Sequence, residues 1–183
     1  MKYATRSLKV RSGSGRLIER TDTVSTDFVR DAEVGLQSVP DSEILDAAFR
    51  ILARRMTKGS VLTSPKNTQR YLTLRFAELE HEVFAAIYLT RRHQVIACEE
   101  LFQGTIDGAS VHPRIVVKSC LRHNAASVIV AHNHPSGIAE PSHADEIITQ
   151  RLKAALELVD IRLLDHIVTA GDSCVSFAER GLL

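Results

Sequence analysis

The stretch "SVIVAH", residues 127–132, restricts this chain more than any other. It is a short, unbroken apolar run. A strand that is apolar at every position, and not only at every second one, must be covered on both faces. The flanking sequence supplies the cover. Before it, "HPRIVVKSCLRHNA" reads as a helix opened by Pro113 and closed near Asn124. After it, "PSHADEIITQRLKAALELVD" reads as an amphipathic helix with Ile147, Ile148, Leu152, Ala155, Leu156 and Val159 on one side. Helices alternating with buried strands predict an α/β fold, a sheet with helices on both faces.

The remaining elements fit that plan. A first helix is predicted from "PDSE", capped by Asp41 or Ser42, with Ile44, Leu45, Ala48, Ile51 and Leu52 at helical spacing and a stop near Lys58-Gly59. A second opens at "TSPKNTQ", with Ser64 as N-cap and Pro65 at the first helical position. The runs 82–90 and 95–102, joined by "RRHQ", predict a hairpin. "IRLLDHIVTAG" and "CVSF" predict the last strands.

Residues 1–40 differ in character. They contain "SGSG" and are rich in Ser, Thr and Arg; residues 1–30 carry seven Lys or Arg against three Asp or Glu. This reads as a basic arm, either solvated or in contact with nucleic acid. The expected division is residues 1–60, arm and first helix, and residues 61–183, the α/β domain.

Composition excludes several classes. A net charge of +1 gives no global field for an acidic partner. Cys98, Cys120 and Cys174 are scattered and form no C-x-x-C pair, which fits a reducing compartment and excludes a zinc knuckle. No apolar run has the ~20 residues of a spanning helix, and the first residues lack the apolar core of a signal peptide. The expectation is a cytoplasmic protein without a membrane partner.

The chemistry concentrates at "AHNHPSG", where the buried strand ends. Strand positions i and i+2 share a face, so His132 and His134 point together. Two imidazoles on one face supply half of a tetrahedral metal site. Asp145, in the first turn of the next helix, is placed to complete a three-ligand set that leaves one position open, as in catalytic zinc sites. Asp145 also has a structural reading, because "SHAD" fits a capping box with Ser142 as N-cap.

The full spacing is His132-x-His134, seven residues, Ser142, two residues, Asp145. It resembles the JAMM metalloprotease motif, H-x-H-x7-S-x2-D, of JAB/MPN domains. "EELFQGTIDGASVHPR", "AHNHPSG", "LLDHIV" and "VSFAERGLL" are similar to the bacterial RadC-like branch, over about residues 64–183. Longer RadC-like proteins carry a helix-hairpin-helix region ahead of this domain, and none is recognisable here. The resemblance implies a three-layer α-β-α sandwich with a mixed sheet, of the cytidine-deaminase-like type. It implies one zinc ion held by His132, His134 and Asp145, with Ser142 stabilising the oxyanion. It implies a glutamate general base near the start of an apolar strand: Glu82 fits best, with Glu99 and Glu100 as rivals. The reaction would be hydrolysis of a peptide or isopeptide bond in a protein substrate.

Other residues are candidates for supporting roles. His166 and His112 are candidates to orient ligands, Asp165 to anchor the site or a turn, and Thr105 and Asp107 to line a substrate groove. Two other functions compete. The RadC name is attached to DNA repair, which with the basic arm suggests a DNA-processing accessory. Against it stand the absence of Trp and an aromatic content of 5%. A non-catalytic JAMM scaffold is the third reading, and the complete ligand set argues against it. Base deamination needs H-x-E and P-C-x-x-C, which the chain lacks. A barrel hydrolase needs about 250 residues.

Overall fold

The computed structural model describes residues 7–11, 17–21, 40–62, 64–104 and 110–183. Thr105, Asp107 and most of the basic arm lie outside these residues. The chain divides into two compact units, Met1–Asp46 and Ala47–Leu183. In the first, strands β1 (Ser7–Arg11) and β2 (Leu17–Thr21) pair antiparallel, with Lys9 opposite Glu19 and Val10 opposite Ile18. The sequence reading had an arm here and missed the hairpin. Its signal is faint: Leu8 and Val10 alternate with polar residues over only five positions, flanking a Ser-Gly turn sequence.

The second unit is built on a mixed five-stranded sheet of order β4-β3-β5-β6-β7. Its strands are β3 (Val83–Leu89), β4 (Val95–Gln103), β5 (Ser127–Asn133), β6 (Arg162–Ala170) and β7 (Ser173–Ser176). β3 runs antiparallel to both β4 and β5, β5 and β6 are parallel, and β7 returns antiparallel to β6. Four helices are described: α1 (Asp41–Arg55), α2 (Pro65–Phe76), α3 (Pro113–Arg122) and α4 (His143–Glu157). The division between the units falls within α1.

Each face of the sheet has its own core. On one, Tyr71, Leu72 and Phe76 of α2 pack with Val83, Ala85, Ile87 and Leu89 of β3, joined by Ile129 and Ile167. On the other, Val116 and Cys120 of α3 and Leu152 and Leu156 of α4 pack with Phe84, Ala86 and Tyr88 of β3 and with Val128 and Val130. The alternation of β3 between the two cores shows why every one of its residues is buried. This is the three-layer α/β arrangement. Burial of Leu152 and Leu156, both at 0% exposure, contributes about 1.5–3 kcal/mol per side chain and locks α4 over the sheet.

Two predicted helix faces need correction. Ile147 is 48% exposed, and α4 instead turns Thr149 inward. In α1, Leu45 and Ile51 are exposed, whereas Phe49, Leu52 and Ala53 meet the core. In both helices the apolar pattern is wider than the stripe the sheet covers. Ser64 does occupy the N-cap of α2, but its hydroxyl makes no capping hydrogen bond.

Candidate metal centre

β5 delivers His132 near its carboxyl end, and the backbone N–H of His134 bonds to the Thr169 carbonyl of β6 at 2.8 Å. That bond extends the strand geometry by one residue and keeps the two imidazoles on one side. Their ring centroids lie 4.8 Å apart. The turn at Gly137, in the left-handed region with φ +81°, then returns the chain to α4. Ser142 caps that helix in a full capping box: its hydroxyl accepts from the Asp145 N–H, and its own N–H donates to Asp145 Oδ2 at 2.7 Å. The Ser142 hydroxyl also lies 2.6 Å from Asp145 Oδ2. The structural and chemical readings of "SHAD" therefore coexist, because the box holds the Asp145 carboxylate facing the histidines.

His132, His134 and Asp145 form a group able to hold a metal ion. His132 Nε2 lies 3.2 Å from Asp145 Oδ1, and His134 Nε2 lies 3.4 Å from Oδ2. The two Nε2 atoms are 2.9 Å apart. Their partners on the other side fix which nitrogen carries the proton. His134 Nδ1 faces the Ile138 carbonyl at 2.8 Å and must donate. Thr149 donates its hydroxyl to the Asp145 carbonyl, so it must accept from His166 Nδ1, 2.6 Å away. A neutral His166 then has a bare Nε2, which accepts from His132 Nδ1 at 2.8 Å. Both ligand histidines are thereby left with bare Nε2 atoms. Two lone pairs and a carboxylate converge on one point, and such a set needs a cation or a proton between its members.

The electrostatics agree. Burial pushes the Asp145 carboxyl up, but the nearness of His132 and His134 and the Ser142 hydroxyl outweigh it and hold the group well below the usual carboxylate range. The bond to Asp145 raises the pKa of His134 against the effect of burial, helped by the Ile138 carbonyl and the charges of Asp145 and Glu82. Burial depresses the pKa of His166 well below normal, and the charge of His132 adds to this, so His166 stays neutral. It is fully buried between Phe84, whose ring meets it edge-on at 5.7 Å, and Phe177, stacked at 4.8 Å.

The profile of the RadC-like JAB domain matches residues 62–182. The chain belongs to the RadC-like JAB domain family. It is 54% identical to a UPF0758 protein of Thioalkalivibrio sulfidiphilus over 97% of this chain and 79% of that one. It is 61% identical to a UPF0758 protein of Nitrosococcus oceani over 76% of this chain, and spans only 62% of that relative's length. A UPF0758 protein of Vibrio cholerae is 54% identical over 80% of this chain and 93% of its own.

In this RadC-like domain the three candidate glutamates stand in different surroundings. Glu82 immediately precedes β3, two residues before Phe84, which is paired with His132 and stacked on its ring at 6.2 Å. Its charge is felt by His134. Glu99 is engaged by Arg122 at 2.6 Å and accepts from Ser119 at 3.2 Å; Glu100 pairs with Arg75 at 2.8 Å. Those two residues sit opposite Ala86 and Ala85 in β4, on the far side of β3 from β5. His112 occupies the N-cap of α3 without a capping hydrogen bond and meets Phe102 edge-on at 6.1 Å. Asp165 accepts from Ser176 at 2.7 Å and from the Ala178 N–H at 3.0 Å, so it anchors the turn after β7.

Two supporting residues were missed in the sequence. One is Thr149, described above. The other is Asn133, between the two histidines. Its amide accepts from the Val83 N–H at 2.8 Å and donates to the His81 carbonyl at 3.0 Å, clamping the backbone on both sides of Glu82. A polar residue inside an apolar strand was the available signal, because such a group is buried only when it is fully bonded.

Proposed function

We propose that this protein is a zinc-dependent hydrolase of a peptide or isopeptide bond. The observation that carries the reading is the convergence of His132 Nε2, His134 Nε2 and the Asp145 carboxylate, with no hydrogen-bond donor of their own turned toward the common point. Ligand atoms around a tetrahedral zinc, with bonds of roughly 2.0–2.1 Å, stand about 3.3 Å apart. The two Nε2 atoms are 2.9 Å apart, each lies 3.2 or 3.4 Å from one of the two Asp145 oxygens, and the three ligand atoms, one per residue, lie within 4.8 Å of one another. Two imidazoles and one carboxylate are a catalytic donor set, leaving room for water and substrate.

When bound there, zinc would polarise a carbonyl and lower the pKa of water to about 7. The chain's own residues would do the rest. Glu82, held by Asn133, takes the proton of the attacking water and returns it to the leaving amine. Ser142 is exposed at the amino end of α4; its hydroxyl, which donates to Asp145 Oδ2 here, would turn with the helix dipole behind it to donate toward the oxygen that gains negative charge. His166 and Thr149 hold His132 in the tautomer that keeps Nε2 free. No described helix is long and apolar enough to span a bilayer. The nucleic-acid alternative rests on the arm, whose side chains lie outside the described residues.

Metal content by mass spectrometry is the test, on the wild-type chain and on His132→Ala and Asp145→Ala. About one zinc per chain, lost in both variants, is the expected result. A wild-type chain that cannot be loaded with zinc would sink the proposal. Peptide and isopeptide libraries follow, with Glu82→Ala as the inactive control.

A further inference from the structure

Asp165 and His166 are adjacent in β6 but serve opposite faces of the sheet. His166 meets Thr149 of α4, and Asp165 lines a cavity on the α2 side. The cavity has a volume of about 200 Å³. Its floor is apolar, made by Leu89, Ile129 and Ile167. Its polar groups are the Asp165 carboxyl, the hydroxyls of Ser64, Thr68 and Ser176, the exposed Glu179 and the imidazole of His93.

The carboxyl of Asp165 is incompletely used. Asp165 is 8% exposed and accepts two hydrogen bonds, although a carboxylate offers about four acceptor positions. No Lys, Arg or His among the described residues forms an ion pair with it. Thr68 is 2% exposed and lines the cavity. Buried polar groups are ordinarily satisfied, so a carboxyl with free acceptor positions and no counter-charge, lining a cavity, marks a place where something else bonds. Glu179 adds a second negative charge at the mouth.

We propose that this cavity binds a small organic ammonium: a primary amine on a compact apolar body. The ammonium has three donors, no acceptor and a positive charge. It would donate to Asp165 and Thr68, while the body lies on Leu89, Ile129 and Ile167. Size limits the body. A cavity of about 150 Å³ holds a benzene ring, so this one suits about eight heavy atoms. The proposal does not depend on the metal reading, because the two sites lie on opposite faces of the sheet.

The probe is benzylamine, titrated into the full chain by calorimetry and by amide NMR, with benzyl alcohol as the neutral analogue. The expected result is saturable binding of the amine, at least tenfold weaker for the alcohol. Shifts should centre on the amides of Thr68, Ser176 and Ala178 and persist in His132→Ala. Asp165→Asn should weaken amine binding tenfold or more. If that variant does not fold, Thr68→Val, which keeps the shape and removes the hydroxyl, should weaken it about two- to tenfold, the effect of one hydrogen bond. Equal binding of amine and alcohol would overturn the proposal. So would shifts confined to His134 and Asp145 that vanish in His132→Ala, or no saturable binding at all.

Discussion

Thr149→Val tests the proton relay behind the metal centre without touching a ligand. Valine matches threonine in shape, and residue 149 is completely buried, so the packing of α4 is kept. What goes is the Oγ1 that accepts from His166 Nδ1 at 2.6 Å. His166 then has two poor options. If it keeps the proton on Nδ1, a buried donor is left unpaired, at a cost of about 1–3 kcal/mol. If the proton moves to Nε2, it confronts His132 Nδ1 at 2.8 Å, and His132 must move its own proton to Nε2, the atom a metal needs. The metal-free chain relaxes to the second arrangement, and zinc binding must bear the cost of restoring the first. Since 1.4 kcal/mol is a factor of ten, affinity should fall about 5- to 150-fold, in line with the 10–100-fold typical of groups that orient a ligand histidine. Competition with a chromophoric chelator measures the affinity, and nitrogen chemical shifts of His132 and His166 report the tautomers. A folded Thr149→Val chain that binds zinc as tightly as the wild type, with unchanged tautomers, would refute the relay.

The other predictions concern the same site. Glu82→Gln should lower kcat by about 10²–10⁴ and leave zinc content unchanged; loss of zinc instead would make Glu82 a ligand. Asn133→Ala removes both bonds of the Glu82 clamp and should cost about 1–3 kcal/mol of stability by thermal melting, while zinc is retained. Ser142→Ala should reduce kcat by about 10²–10³ and destabilise the metal-free chain by about 1 kcal/mol through the lost cap. Zinc affinity should fall with acidity. The pKa of His134 is raised, so in the metal-free chain it keeps its proton to higher pH than an ordinary imidazole. Below that pKa, zinc must displace the proton and affinity should drop about tenfold per pH unit; above it, affinity should level off. Affinity independent of pH between 5 and 8 would count against His134 as a ligand.

Much of this was legible in the sequence because it rests on local rules. Continuous apolar runs marked β3 and β5, and Pro113 and Ser142 marked the starts of α3 and α4. The position of Asp145 followed from the cap. The different surroundings of Glu82, Glu99 and Glu100 became visible only in the structure, since sheet order, and not sequence distance, decides which strand neighbours β5. The β1–β2 pairing was too short to show a period. The exposure of Ile147 and Ile51 depends on how much of each helix the sheet covers, which no single helix encodes.

The position of His166 shows why the rest was hidden. Strict alternation along "RLLDHIVTA" puts His166 on the opposite face from Leu163. In the structure both serve the α4 side, because Val128 pairs with Leu163 but Ile129 pairs with Asp165, leaving Leu164 as an extra residue in β6. That β-bulge resets the alternation. It turns His166 toward His132, and it sends Asp165 to the other side, into the cavity lined by Thr68. Leu164 packs against the α2-side core as well, so two consecutive residues face that side before His166 turns back. A bulge is a property of two strands paired in a register, and β5 and β6 are separated in the sequence by the whole of α4. The motif spacing therefore points to the candidate ligands, which lie within one turn and one cap. The orienting histidine and the second cavity both depend on a single irregularity in how β6 is laid against β5.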